Sequence, residues 1–321
     1  MKFIDRPLPL PSEAYDRALE RMTGRLRRLP GLTGLYRLGS IKDPGISDID
    51  LLAVFEDHYA TRFDPRRHLT RTDRYLFAHR LFGLCERDFQ CLMSRPSFFC
   101  LTPLFGPAPL EARPGNGAGD EIRTQVALEY LIGLWISFAM QKKMATIKLR
   151  SLFLQTNAAL IDLEALKKKG SELYILAKQV RPWRKSWFEN PDRMALAEWI
   201  VVLFEALDRE MRSLLHDYPF YHQSGGRYRL SGNVTVLSGR RIGYICRTRG
   251  PFRSFPAPGS KRIYNALNRL NSYTFHFPVK DVRIVPPLHE KLLMEHRARA
   301  HNRTHLPHFA PLVSPLSLTP Y

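Results

Sequence analysis

The stretch Leu38–Phe55, LGSIKDPGISDIDLLAVF, decides how the chain is read. A Gly-Ser pair, Gly39 and Ser40, closes one apolar run, and two aspartates one residue apart, Asp48 and Asp50, open another. Side chains alternate along a strand, so Asp48 and Asp50 share one face while Ile49 and Leu51 enter the other. Two carboxylates this close repel each other unless a cation lies between them. Carboxylate-bridged oxygen sites are where Mg²⁺ binds, with waters and substrate phosphates completing its shell. Glycine lets a phosphate come close to the backbone, and a helix beginning at Ser40 would aim its positive end at that phosphate. Lys42 stands near enough in sequence to add a cation.

Outward from this stretch, Gly34–Leu38 and Asp50–Phe55 read as short strands bounded by turn residues. Ser12–Arg28 has helical spacing, with Ser12 as N-cap and Tyr15, Leu19, Met22 and Leu26 on one stripe. Pro65–Phe82 reads as a helix, and Asp88–Met93 (DFQCLM) as a third strand. Phe105–Gly119 is rich in Pro and Gly and reads as a linker. Residues 120–217 are helical in spacing, a bundle of three to five helices, with the basic and aromatic Val180–Phe188 as an inter-helix loop anchored by its tryptophans. From 218 to 285 short β-like runs follow, Arg227–Leu230, Asn233–Leu237 and Arg241–Arg247, with Ser238-Gly239 as a hairpin turn between the last two. Residues 286–321 combine a short helical stretch, Leu288–Arg299, with an ending, His301–Tyr321, that carries too much Pro and His to pack unaided, so a mobile tail, or one wrapped on a neighbour, is expected.

The fold expected is therefore α+β in four parts. A mixed sheet with helices (1–110) precedes a helical bundle (120–217), a basic β-rich module (218–285) and the tail (286–321).

Charge is unevenly spread. Of a net +19, residues 221–321 hold 16 Lys+Arg against three acids, a net of +13. Such a field concentrates polyanions and speeds their association, which makes RNA or another polyanion a candidate partner. The longest uncharged apolar run, Tyr130–Met140, falls well short of the ~20 residues needed to span a bilayer. The N-terminus lacks the basic and apolar regions of a secretory leader. The four cysteines form no C-x-x-C pair and suit free thiols in a reducing compartment. A cytoplasmic location is the resulting expectation. No Ser-His-Asp or Cys-His arrangement supports hydrolase chemistry, and PGNGAGD (114–120) lacks the Gly-Lys-Ser/Thr ending of a phosphate loop.

An apolar strand, Gly-Ser, a seven-residue gap (Ile41–Ser47) and Asp-x-Asp heading a second strand resemble the nucleotidyltransferase fold of the DNA polymerase β superfamily. The resemblance covers Leu32–Phe55 well and the region up to about residue 105 loosely. It implies a Mg²⁺-dependent enzyme, with two ions, moving a nucleoside monophosphate from an NTP to an acceptor hydroxyl or phosphate and releasing pyrophosphate. Asp48 and Asp50 would hold the metal, and Gly39, Ser40 and Lys42 the nucleotide. A third carboxylate on a later strand would assist the acceptor. Asp88 is the candidate, with Glu86 as a further option, although Gln90 is the residue flanked by apolar neighbours. Gln90 keeps open the alternative of a non-catalytic nucleic-acid-binding or regulatory protein on a degenerate transferase scaffold.

Overall fold

The structure, a computed structural model, describes residues 1–93, 100–108, 118–189, 191–223, 227–249, 257–314 and 316. In chain order its elements begin with β1 (Lys2–Ile4), α1 (Ser12–Leu26), β2 (Leu32–Leu38), β3 (Asp50–Phe55), α2 (Arg71–Leu76), β4 (Phe82–Cys85), α3 (Glu86–Met93) and β5 (Leu101–Phe105). There follow α4 (Ala118–Lys143), β6 (Thr146–Lys148), α5 (Leu149–Ala165), α6 (Glu172–Lys178), α7 (Val180–Ser186) and α8 (Arg193–Asp217). The remainder is β7 (Phe220–His222), β8 (Arg227–Ser231), β9 (Val234–Ser238), β10 (Gly243–Thr248), α9 (Lys261–Asn268), β11 (Asn271–Phe277), β12 (Val279–Asp281) and α10 (Pro286–Thr304). The class is α+β with mixed sheets. Among the described residues, no helix is long and apolar enough to cross a membrane.

The chain divides into two compact units. The first comprises Leu8–Arg123 and Glu290–Ser314; the second comprises Met1–Pro7, Thr124–His289 and Pro315–Tyr321. The helical and basic β segments, read above as separate modules, thus share the second unit. The expected linker centre, 109–117, lies outside the described residues.

The first unit is built on the sheet β4-β3-β2-β5, in which β3 runs antiparallel to β2 and parallel to β4. Strand β3 is apolar on both faces because both are covered. Ile49, Leu51, Ala53 and Phe55 pack with the stripe Tyr15, Ala18, Met22 and Leu26 of α1, while Leu52 and Val54 pack on the other side with Tyr36, Leu84 and Ala298 of α10. Pro11, not Ser12, occupies the N-cap of α1, without a side-chain bond; Ser12 is already helical.

Three other expectations are corrected here. Pro65–Phe82 is not one helix: His68 sits in the left-handed region at φ 61°, and helix begins only after Thr70, whose hydroxyl accepts from the Asp73 N–H at 3.0 Å. Asp88–Met93 is helix α3, not the third strand, which is instead Phe82–Cys85. Residues 286–314 are ordered structure, not a mobile tail; the short helix expected at Leu288–Arg299 is present and longer, as Pro286–Thr304. Helix α10 leads into a segment whose Leu306 and Phe309 are buried in the first core. Ala310 donates to the Leu81 carbonyl at 2.8 Å and accepts from the Gly83 N–H at 2.9 Å, covering the free edge of β4. Gly83 is required by that approach, since a Cβ there would lie 2.7 Å from Phe309. Leu316 is also buried; the rest of the expected tail, 315 and 317–321, lies outside the described residues.

In the second unit the sheet order is β10-β11-β9-β8. Ser238-Gly239 therefore does not turn a hairpin between β9 and β10, because β11 inserts between them, parallel to β9 and antiparallel to β10. Along β11 residues alternate between buried and half-buried, the pattern of a sheet with one face on a core. That core includes Trp135 of α4, whose ring meets Tyr244 and Phe275 edge-on at 5.5 and 5.0 Å. Val180–Ser186 is helix α7 rather than loop, with Trp187 just past its end buried. Cys85, Cys91, Cys100 and Cys246 are all free thiols; only Cys85 is fully buried, and Cys100 is exposed.

Candidate metal centre

The loop from Gly39 to Ile49 is held at many points. Asp43-Pro44-Gly45-Ile46 forms a reverse turn in which the Ile46 N–H donates to the Asp43 carbonyl at 3.0 Å, with Gly45 at φ 83°. Proline second and a left-handed glycine third are what a type II turn demands. The Tyr15 hydroxyl, from α1, donates to the Ser47 carbonyl and accepts from the Gly45 N–H, both at 2.8 Å. The Tyr75 hydroxyl, from α2, donates to the Gly45 carbonyl. The Ile49 N–H then donates to the Leu76 carbonyl at 2.9 Å, which drives Ile49 into the core and turns its two neighbours away from it.

Those neighbours are Asp48 and Asp50, both half-buried. A carboxylate oxygen from each and a ring nitrogen of the exposed His79 lie within 4.8 Å of one another. His79 precedes β4, which runs parallel to β3, so it arrives at the strand end where Asp50 stands. Its Nε2 forms an ion pair with Asp50, and its Nδ1 lies 2.7 Å from the Arg80 carbonyl. That carbonyl accepts only if Nδ1 carries a proton, which leaves Nε2 facing the carboxylates. The hydrogen bond with Asp50 raises the His79 pKa to about 9, outweighing the desolvation of the covered side of an otherwise exposed ring. Without a metal the imidazole is therefore a cation at neutral pH. Its charge offsets the carboxylate pair.

The donor set fits a divalent cation. Two carboxylates suit Mg²⁺, and a nitrogen oriented by a backbone carbonyl on its other side is the arrangement common to metal-ligating histidines. Imidazole is more at home on Mn²⁺ or Zn²⁺ than on Mg²⁺. Binding through His79 would require loss of its proton, so metal and proton compete for it.

Gly39 and Ser40 stand at the same end of the sheet, since Leu38 pairs with Asp50. Gly39 is left-handed at φ 68°, with nothing within 4 Å of the position a Cβ would take. Its N–H, however, donates to the Cys100 carbonyl at 2.9 Å, so this donor is already used. No helix begins at Ser40, and the helix-end contribution expected there is absent among the described residues. Ser40 and Lys42 are exposed, and they remain as the donors of this loop.

Asp88 does not join the group. Phe55 pairs with Cys85, so α3 leaves the sheet at the end of β3 opposite Asp50, five strand steps or ~17 Å away. Asp88 is buried, and its Oδ1 accepts from Arg297 Nε at 2.7 Å. Glu86 and Gln90 begin and continue the same helix. The residue sequence reasoning overlooked is His79, whose flanks, FAHRLF, carry no motif. Only the parallel pairing of β4 with β3 brings it in. Comparison with protein-family models, curated proteins and solved structures finds no match.

Proposed function

We propose that the chain is a Mg²⁺-dependent nucleotidyltransferase that moves a nucleoside monophosphate from an NTP to an acceptor, with RNA as the acceptor class its basic C-terminal third favours. The observation that carries this reading is the rigidly presented Asp48–Asp50 pair at the strand end that Gly39 and Ser40 share. A divalent ion held by the pair would neutralise the phosphates and favour in-line displacement, the acceptor oxygen bonding to the α-phosphorus as pyrophosphate departs. Asp48 and Asp50 supply the anionic platform. Ser40 donates to a phosphate oxygen, and Lys42 adds positive charge. Before metal binds, His79 is protonated at neutral pH and serves as counter-charge to the pair; on losing that proton it would add a nitrogen ligand to the ion.

A second reading draws on one specific observation: among the described residues no third carboxylate joins the pair, and His79 stands in that place. On this reading the site binds a nucleotide with its cation and does not turn it over.

One experiment separates the two. The protein is incubated with each α-labelled NTP, Mg²⁺ or Mn²⁺, and total RNA, and both label transfer and NTP binding are followed. Transfer is expected, with a loss of ~10³-fold in the D48N/D50N double variant and little change in melting temperature, because relief of the carboxylates' repulsion is offset by loss of the Asp50–His79 ion pair. Metal-dependent NTP binding without transfer selects the second reading. Transfer that survives the double substitution rules out the site.

A further inference from the structure

The stretch Tyr218–Lys280 contains eleven Lys and Arg residues and not one Asp or Glu. It includes the whole sheet β10-β11-β9-β8, whose inner face rests on α4 and α9 through Trp135, Tyr264 and Phe275. The register fixes what the outer face displays. Arg229, Thr235, Thr274 and Ile245 form one row across all four strands, since Arg229 pairs with Thr235, Thr235 with Thr274, and Thr274 with Ile245. Arg227 stands two residues from Arg229 on β8, and Arg247, beside Ser272, two residues from Ile245 on β10.

The three arginines are exposed, and Ile245 between them is 44% exposed. No carboxylate meets them among the described residues, in contrast to Arg209 and Arg283 of the same unit, which are paired to Glu172 and Asp281. Guanidinium forks at both edges flank a centre of Thr and Ser hydroxyls. From edge to edge the face spans three strand spacings, ~14 Å.

From this we infer that the outer face of the β10-β11-β9-β8 sheet is a docking surface for the phosphate–ribose backbone of A-form duplex RNA. Arginine presents paired donors that match phosphate, and hydroxyls on the same face add further donors to backbone oxygens. Ile245 and Leu237 are too few to enter a lipid surface. Apart from the half-buried imidazole of His276, no aromatic ring is displayed by the described outer positions, so the run of stacking rings on which single strands lie is not provided. A four-stranded face is wider than the ~12 Å major groove of B-DNA, which takes a helix or a two-stranded ribbon. The minor groove of an A-form duplex is wide and shallow and exposes 2′-hydroxyls, which Thr235, Thr274 and Ser272 can bond. The inference stands apart from the transfer chemistry, because binding is measured without NTP or metal.

The test is fluorescence anisotropy of the full chain with a labelled 20-base-pair RNA duplex, run between 50 and 200 mM salt. The same-sequence DNA duplex, the RNA single strand and polyglutamate serve as comparison arms. The RNA duplex is expected to bind tightest. The triple variant R227Q/R229Q/R247Q is expected to weaken it by at least ~10-fold at 100 mM salt and to flatten the slope of log K against log salt by roughly 2–3. Because the three side chains are exposed and have no described partner, its thermal melt should match that of the parent; the paired control R209Q/R283Q should keep both affinity and slope. An unchanged affinity and slope in the triple variant would overturn the assignment of this face. Equal or tighter binding of the DNA duplex, the single strand or polyglutamate would overturn the choice of duplex RNA.

Discussion

The sheet β4-β3-β2-β5 gathers two like charges at one end of one strand, whereas β10-β11-β9-β8 spreads three over a whole face. Scale separates the ligands that each can take. Carboxylate oxygens within 4.8 Å of one another create a field steep enough to hold a single small cation. Guanidiniums spread over ~14 Å match a charged lattice, not a point. The two arrangements also differ in support: Asp48 and Asp50 follow a loop bonded to two helices, whereas the arginines depend only on strand register.

The sharpest way to break this comparison is at Asp88, the carboxylate at the far end of the first sheet. If its work is to hold Arg297, Asp88→Ala should cost about 1–3 kcal/mol of stability. This lies below the about 3–5 kcal/mol of a fully buried pair because Arg297 is 43% exposed and its charge stays partly solvated. Urea unfolding reads the loss, and label transfer by the folded fraction should be retained. Full stability with transfer abolished would return Asp88 to the catalytic set and end the claim that charge at this sheet matters at one end only.

Gly39 sharpens the same comparison from the other side. Gly39→Ala should cost about 1–2 kcal/mol, the penalty for a Cβ in the left-handed region, since nothing stands within 4 Å to clash. A rise in KM for NTP beyond what the melt explains would mean that the open space above Gly39 is used by a phosphate. An unchanged KM would reduce the residue to its backbone role.

What the sequence reveals about these regions follows from how local the causes are. Strands β2 and β3 are legible because each is an apolar run closed by turn residues, and the facing of Asp48 and Asp50 follows from alternation alone. The bonds from Tyr15 and Tyr75 to the Gly45 backbone cross thirty residues and leave no local trace. His79 is set by strand pairing, equally without local trace. The reading of 88–93 as strand fails because a short apolar run fits either period: Phe89 and Leu92, three apart, form the helical stripe that packs beside Tyr36 and Leu52. The Ser238-Gly239 turn fails for a related reason. Its chemistry permits a hairpin, but β11, thirty-odd residues on, competes for the same edge. In the tail, composition argues against self-sufficient packing, and the described residues indeed pack on another element, the β4 edge.

Three of the described carboxylate sites are neutralised in three different ways, and the third gives the most easily graded effect. Asp88 has an arginine, and the Asp48–Asp50 pair has an imidazolium; Asp162, buried within α5, has mainly its own proton. Burial raises its pKa to about 8, with only a backbone hydrogen bond opposing the shift. An acid whose folded pKa lies above its unfolded value binds an extra proton when folded, so stability must fall as pH rises from about 4 to about 8 and level off beyond. The slope from this one group is at most about 1.4 kcal/mol per pH unit, and solvent entry on ionisation will lower it. Asp162→Asn should accordingly change the melting temperature little at pH 5, raise it at pH 8, and flatten the profile between. A variant that melts lower than the parent at pH 8 would show that the ionised carboxylate has a partner after all, and would place Asp162 with the charged groups of the first sheet rather than apart from them.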